Sequence, residues 1–88
     1  MIGMSSTTQT IAEAIRTEMT RRGIIQARVA QEMGIDPSKL NRWVIDGAEP
    51  DGESLETLST FLGLSSIFDL GPYLVATKIE RARRRGRL

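Results

Sequence analysis

Apolar side chains recur along this chain at helical spacing, and nowhere do they alternate at period two as a half-buried strand requires. Ile11, Ile15 and Met19 stand four residues apart and form one stripe. Thr10 precedes them as an N-cap, with Glu13 three residues on, which is the pattern of a capping box. Arg21 and Arg22 suit the negative end of the dipole and Gly23 stops the helix, so a first helix is expected over about 10–22. A short second helix, about 26–33, puts Val29, Ala30 and Met33 on one face and ends at Gly34. Its cap position falls on Ile24 or Ile25, neither of which can cap, so it needs tertiary support.

The stretch "IDPSKL" is a stronger start. Asp36 caps, Pro37 is preset for the first helical position, and Ile35 with Leu40 makes a hydrophobic staple. This third helix is expected to reach about Asp46, where "DGAEPDG" forces a loop. A fourth, about 53–62, turns Leu55, Leu58, Phe61 and Leu62 inward and ends at Gly63. After a single turn, "SSIFDL", Gly71 and Pro72 restart the chain into a last helix whose stripe is Val75, Ile79 and Ala82. Beyond Ala82 no apolar residue remains to dock until Leu88. The pattern therefore divides into a flexible N-terminal arm, 1–9, a helical domain, 10–70, and a basic C-terminal helix or tail, 71–88.

Charge sharpens this division. Residues 1–70 hold six Lys/Arg against ten Asp/Glu, a net of −4, whereas residues 71–88 hold six against one, a net of +5. A basic tail on an acidic body suits an anionic partner, or equally a solubilising helix end. The chain has no histidine and no cysteine, which removes the commonest general base, thiolate metal sites and disulfides. With no Gly-rich phosphate loop and no paired carboxylates suited to a pocket, catalysis is not expected. The acids Asp46, Glu49, Asp51 and Glu53 do not have the spacing of a calcium loop, so no metal and no cofactor is expected. Apolar runs are too short to span a membrane, and "MIGMSSTTQ" lacks the features of a signal peptide, so the cytoplasm is the expected setting.

The second and third helices carry the chemistry. Two helices crossing steeply need a small residue at the crossing, which Ala30 supplies, and a turn residue tolerant of positive φ, which Gly34 supplies. Leu40 and Trp43, three apart, anchor the inner face of the third helix. Ser38, Asn41, Arg42 and Ile45 then share the outer face at i, i+3, i+4 and i+7. Arginine reads guanine, asparagine reads adenine and serine bonds either in a major groove. Gln26 opens the second helix, whose N-terminal amides can meet a phosphate.

In combination, Gln26, Ala30, Gly34, "SKLNRW", Pro50 and "LETLSTFLG" resemble the Cro/repressor family of helix-turn-helix domains, the XRE-like group, over about residues 10–70. The resemblance implies an all-α, five-helix bundle that binds an operator as a symmetric dimer, here with an additional basic C-terminal helix. It also implies that Gln26 clamps phosphate and supports a recognition side chain. The chain departs from the family where Val44, Ile45 and Asp46 follow the tryptophan in place of Glu, a basic residue and Gly. Three uses are open for that apolar pair: contact with a thymine methyl, cover for the last helix, or a dimer seam. Ile25 also replaces the usual Ser/Thr cap.

The expected function is sequence-specific recognition of double-stranded DNA by a homodimeric transcriptional regulator of the phage or mobile-element repressor kind, placed at the nucleoid. Ser38, Asn41 and Arg42 would read bases, while Gln26, Lys39, Arg81, Arg83, Arg84 and Arg85 hold the backbone. Neither a membrane nor a small-molecule substrate is expected as a partner. Two rivals use the same fold: an antitoxin or protein-interaction adaptor, which exposure of Val44 and Ile45 would favour, and an accessory of phage DNA packaging or recombination.

Overall fold

The computed structural model describes residues 9–86, so the expected N-terminal arm lies almost wholly outside the described residues, as does Leu88. Within them the chain is helical without a strand: α1 (Ile11–Arg22), α2 (Gln26–Met33), α3 (Pro37–Val44), α4 (Leu55–Phe61) and α5 (Gly71–Gly86). Short 3-10 turns at Gly52–Ser54 and Ile67–Leu70 lead into α4 and α5.

The start signals act as the sequence implies. The Thr10 hydroxyl accepts the Glu13 amide at 3.2 Å, and the Glu13 carboxylate accepts the Thr10 amide at 2.9 Å, closing the capping box. Thr10→Ala is therefore expected to cost about 1 kcal/mol, read as a lower urea midpoint with unchanged slope. Gly34 takes φ +67° at the end of α2, a left-handed conformation that side chains with a Cβ rarely adopt, and so turns the chain toward α3.

α1 packs on α3 and α5, while α2 packs on α3 and α4. The core they enclose includes Ile11, Ile15, Val29, Leu40, Trp43, Leu58, Phe61 and Leu70. Arg22 ties three helices together at the end of α1. Its guanidinium lies 4.3 Å from the Phe61 ring centroid, donates to the Phe61 carbonyl, and pairs with Glu18 at 2.7 Å and Glu32 at 3.5 Å. Sequence reasoning gave this arginine only a place at the helix dipole.

One open alternative is settled and one expectation is corrected. Val44 is not on a wet face: it is 3% exposed and belongs to the core, whereas Ile45 is 55% exposed. Val44 follows Leu40 by four residues and so falls on the inner side of α3. On α5, the stripe of Val75, Ile79 and Ala82 does not dock on the bundle but faces outward. The inner face is set instead by Tyr73, Leu74 and Thr77. Thr77 is buried because its hydroxyl accepts the Ile11 amide at 3.0 Å and donates to the Tyr73 carbonyl at 2.8 Å. The amide belongs to the first turn of α1, where no helical carbonyl is available to it.

Candidate nucleic-acid interface

α3 is the element that positions the chemistry. The Asp36 carboxylate accepts the Ser38 amide at 2.8 Å, and Pro37 follows the cap directly. Leu40, Trp43 and Val44 bury one side of α3, so Ser38, Asn41, Arg42 and Ile45 are left exposed together on the other. The backbone ladder runs past Val44, with the Ile45 amide on Asn41 at 2.8 Å and the Asp46 amide on Arg42 at 3.1 Å. Gly47, at φ +71°, then ends it.

Within this row the side chains differ in state. The Gln26 amide nitrogen donates to Asn41 Oδ1 at 3.3 Å, which joins the start of α2 to the middle of α3. This bond fixes the orientation of Asn41 while leaving its amino group and one lone pair available to a base edge. The Ser38 hydroxyl donates to Asp36 Oδ1 at 2.6 Å, so toward a ligand it can act as an acceptor. These bonds from Ser38, first from its hydroxyl and then from its amide, with Arg42 and Lys39 adding attraction, hold the Asp36 carboxyl below the usual carboxylate range. The cap thus stabilises the fold above the ordinary carboxylate pKa, and that contribution is lost as the pH falls through the lowered value. Among the described residues no ion pair engages Arg42, whose guanidinium keeps its donors for an outside partner.

The residues expected at the backbone also differ. Ile25, at the N-cap of α2, makes no capping bond, so the amides at the start of α2 stay open beside Gln26. Lys39 is half-buried and pairs with Asp51 at 3.5 Å, which holds α3 to the following loop. Arg81 reaches Glu49 in that loop at 3.3 Å, and Arg84 donates to the Asp46 carbonyl at 3.1 Å. Arg83 and Arg84 both pair with Glu80 on their own helix, at 3.4 and 3.5 Å, and Arg85 is exposed on the last turn. The basic end of α5 therefore abuts the C-terminal end of α3.

A second arginine meets the same end of α3: Arg16, from α1, donates to the Val44 carbonyl at 2.5 Å. Arg16 and Arg84 together serve carbonyls that the finishing helix leaves open, and both favour its negative dipole end. A Cβ at Gly47 would stand 3.2 Å from Arg84 Nη1, a tight contact at the end of a flexible side chain, and the φ of +71° is what favours glycine there. Sequence reasoning missed Arg16, and it named Arg84 for the DNA backbone without its bond to the Asp46 carbonyl. Neither lies near α3 in the chain, and no local pattern marks a side chain that reaches a distant carbonyl.

No group of acidic residues among those described is placed to hold a metal ion, and no helix of them is long and apolar enough to cross a membrane. The family model described as helix-turn-helix matches residues 15–68, which contain α1 from Ile15 through α4 and the whole exposed row of α3. No curated protein and no solved structure matches the chain.

Proposed function

The chain belongs to the Cro/repressor-type, XRE-like helix-turn-helix family of DNA-binding regulators, and on that premise we propose that it is a sequence-specific repressor, of phage or mobile-element kind, acting as a homodimer on an operator. The observation that carries this reading is the exposed row Ser38, Asn41 and Arg42, with Asn41 oriented by Gln26. α3 enters the major groove, Asn41 and Arg42 read base edges, and Ser38 accepts from a base amino group. Gln26 and the open amides of α2 receive a phosphate, which links the backbone contact to the reading side chain through one hydrogen bond. The basic end of α5 supplies charge that the acidic body lacks, beside the reading helix.

Selection of bound duplexes from a random pool at two salt concentrations tests the reading. A palindromic consensus is expected; absence of any enrichment overturns it. The charge contribution is tested separately by the pair Arg83→Gln and Arg85→Gln, which spares the bonds of Arg81 and Arg84 to the loop. Weaker binding to all sequences is expected, with the salt slope reduced by about 2, since each arginine that neutralises a phosphate contributes about 1. An unchanged slope would take these arginines off the DNA. The rival reading of a protein-interaction adaptor draws on exposure of Val44 and Ile45, and the burial of Val44 removes half of that support.

A further inference from the structure

Asp36 caps α3, yet its carboxylate also stands beside the reading row. Residues at the start of a recognition helix are the ones that meet base edges in a major groove. Asp36 and Ser38 both lie there, and both are exposed. Asp36 Oδ1 accepts twice from Ser38, from the amide at 2.8 Å and from the hydroxyl at 2.6 Å. A serine hydroxyl has one proton and two lone pairs, and when free it rotates to donate to a base or to accept from one. Here the proton is held by Asp36, so the Ser38 hydroxyl turns only lone pairs outward. Asp36 Oδ2 engages no hydrogen bond and no ion pair among the described residues. The start of α3 therefore presents two neighbouring acceptors and no donor from these side chains.

We propose that Asp36 is a specificity-determining residue: with Ser38 it forms an acceptor pair that selects cytosine through the free N4–H in the major groove. The inference rests on the proposed function, because it takes α3 to read that groove. Cytosine offers an amino hydrogen there and no acceptor on its own edge. Adenine offers N6–H, but its N7 lone pair lies on the same edge and repels a carboxylate. Guanine presents O6 and N7, and thymine presents O4, so acceptors would face acceptors. Asp36 acts through the bases it rejects as much as through the one it accepts. Its charge is also repelled by the phosphates of every duplex, and only a donor placed against it offsets that repulsion. Without Asp36 the serine hydroxyl could turn its proton outward and accept a keto base equally well.

Asp36→Asn isolates the effect, since asparagine caps a helix as well as aspartate and the urea midpoint should hold. Its Oδ1 takes over the two Ser38 bonds, and its amino group replaces the free oxygen, so an outward acceptor becomes a donor. Duplexes are selected with the unaltered chain, and affinities for single-base variants are then compared at one salt concentration. The unaltered chain is expected to prefer cytosine by roughly 10-fold or more at one symmetric pair of positions. N4-methylcytosine there, whose methyl replaces the free hydrogen, should weaken binding by a similar factor. Ser38→Ala should reduce the preference at the same pair. Asp36→Asn should bind random duplex more tightly and favour thymine or guanine there in place of cytosine. If the positions that respond to the two variants hold another base, or if Asp36→Asn strengthens all duplexes equally with its preference unchanged, the inference is overturned and the proposed function stands. A pool with no enrichment overturns both. In the free chain, followed by nuclear magnetic resonance, the Asp36 carboxyl should titrate below the usual carboxylate range and Ser38→Ala should raise it. A carboxyl unmoved by Ser38→Ala would mean that Asp36 does not hold the hydroxyl proton, which overturns the inference without any DNA present.

Discussion

Trp43→Ala is expected to destabilise the fold by about 3–5 kcal/mol and to leave it marginally stable. Trp43 is 2% exposed and sits on α3 in the same core as Ile11, Ile15, Leu40, Phe61 and Leu70. Truncating a buried aromatic of this size costs about 3–5 kcal/mol, from forfeited transfer energy and the cavity left behind. A domain of this size is stable by on the order of 5–10 kcal/mol, so the truncation takes a large share of the total. Urea titration followed by far-ultraviolet circular dichroism measures it; tryptophan fluorescence cannot, since Trp43 is the only tryptophan. A shift of less than about 1 kcal/mol would show that the tryptophan is not an anchor of α3. DNA binding should fall only as far as the folded population falls, and stabilising osmolyte should restore both together.

The two residues after the tryptophan give a control within the same helix. Val44→Ala is expected to destabilise the fold, because Val44 is buried, while Ile45→Ala leaves the urea midpoint nearly unchanged. Any effect of Ile45→Ala then appears on DNA, where the exposed side chain lies in the row of Asn41 and Arg42 and can meet a thymine methyl.

The helix ends were legible because capping is local. Thr10 with Glu13, Asp36 with Pro37, and Gly34 each act within a few residues of their own position. The placement of Val44 was also legible, since helical period already puts it beside Leu40; the departure from the family pattern at that point obscured it. The face of α5 was not. Periodicity finds two rows there, Tyr73–Leu74–Thr77 and Val75–Ile79–Ala82, and the second is the more apolar. The bundle takes the first, whose Tyr73 and Leu74 pack on the core and whose Thr77 answers the open Ile11 amide at the start of α1, a partner 66 residues away. In the same way, the exposed row of α3 follows from its buried neighbours, whereas the bond from Gln26 to Asn41 and the arginines at the end of α3 depend on how separate helices meet.

Arg42→Ala is expected to relax sequence preference at one position in each half-site and to leave the fold intact. Arg42 is exposed, its backbone continues the α3 ladder, and no ion pair among the described residues depends on its side chain. Removing a bidentate bond to guanine costs about 1–3 kcal/mol for the matched sequence and little for a duplex already lacking that guanine. The discriminating quantity is therefore the ratio of affinities for the selected operator and for single-base variants, measured at one salt concentration. That ratio should fall toward one at a single symmetric pair of positions, with the salt slope nearly unchanged. An equal weakening on operator and random duplex, with a shallower slope, would make Arg42 a phosphate ligand instead. Gln26→Ala supplies the internal comparison. It removes the orienting bond to Asn41 as well as the proposed bond to the DNA backbone, so on the proposed reading it should lower affinity for every duplex and reduce preference at the position assigned to Asn41, while the position assigned to Arg42 keeps its preference.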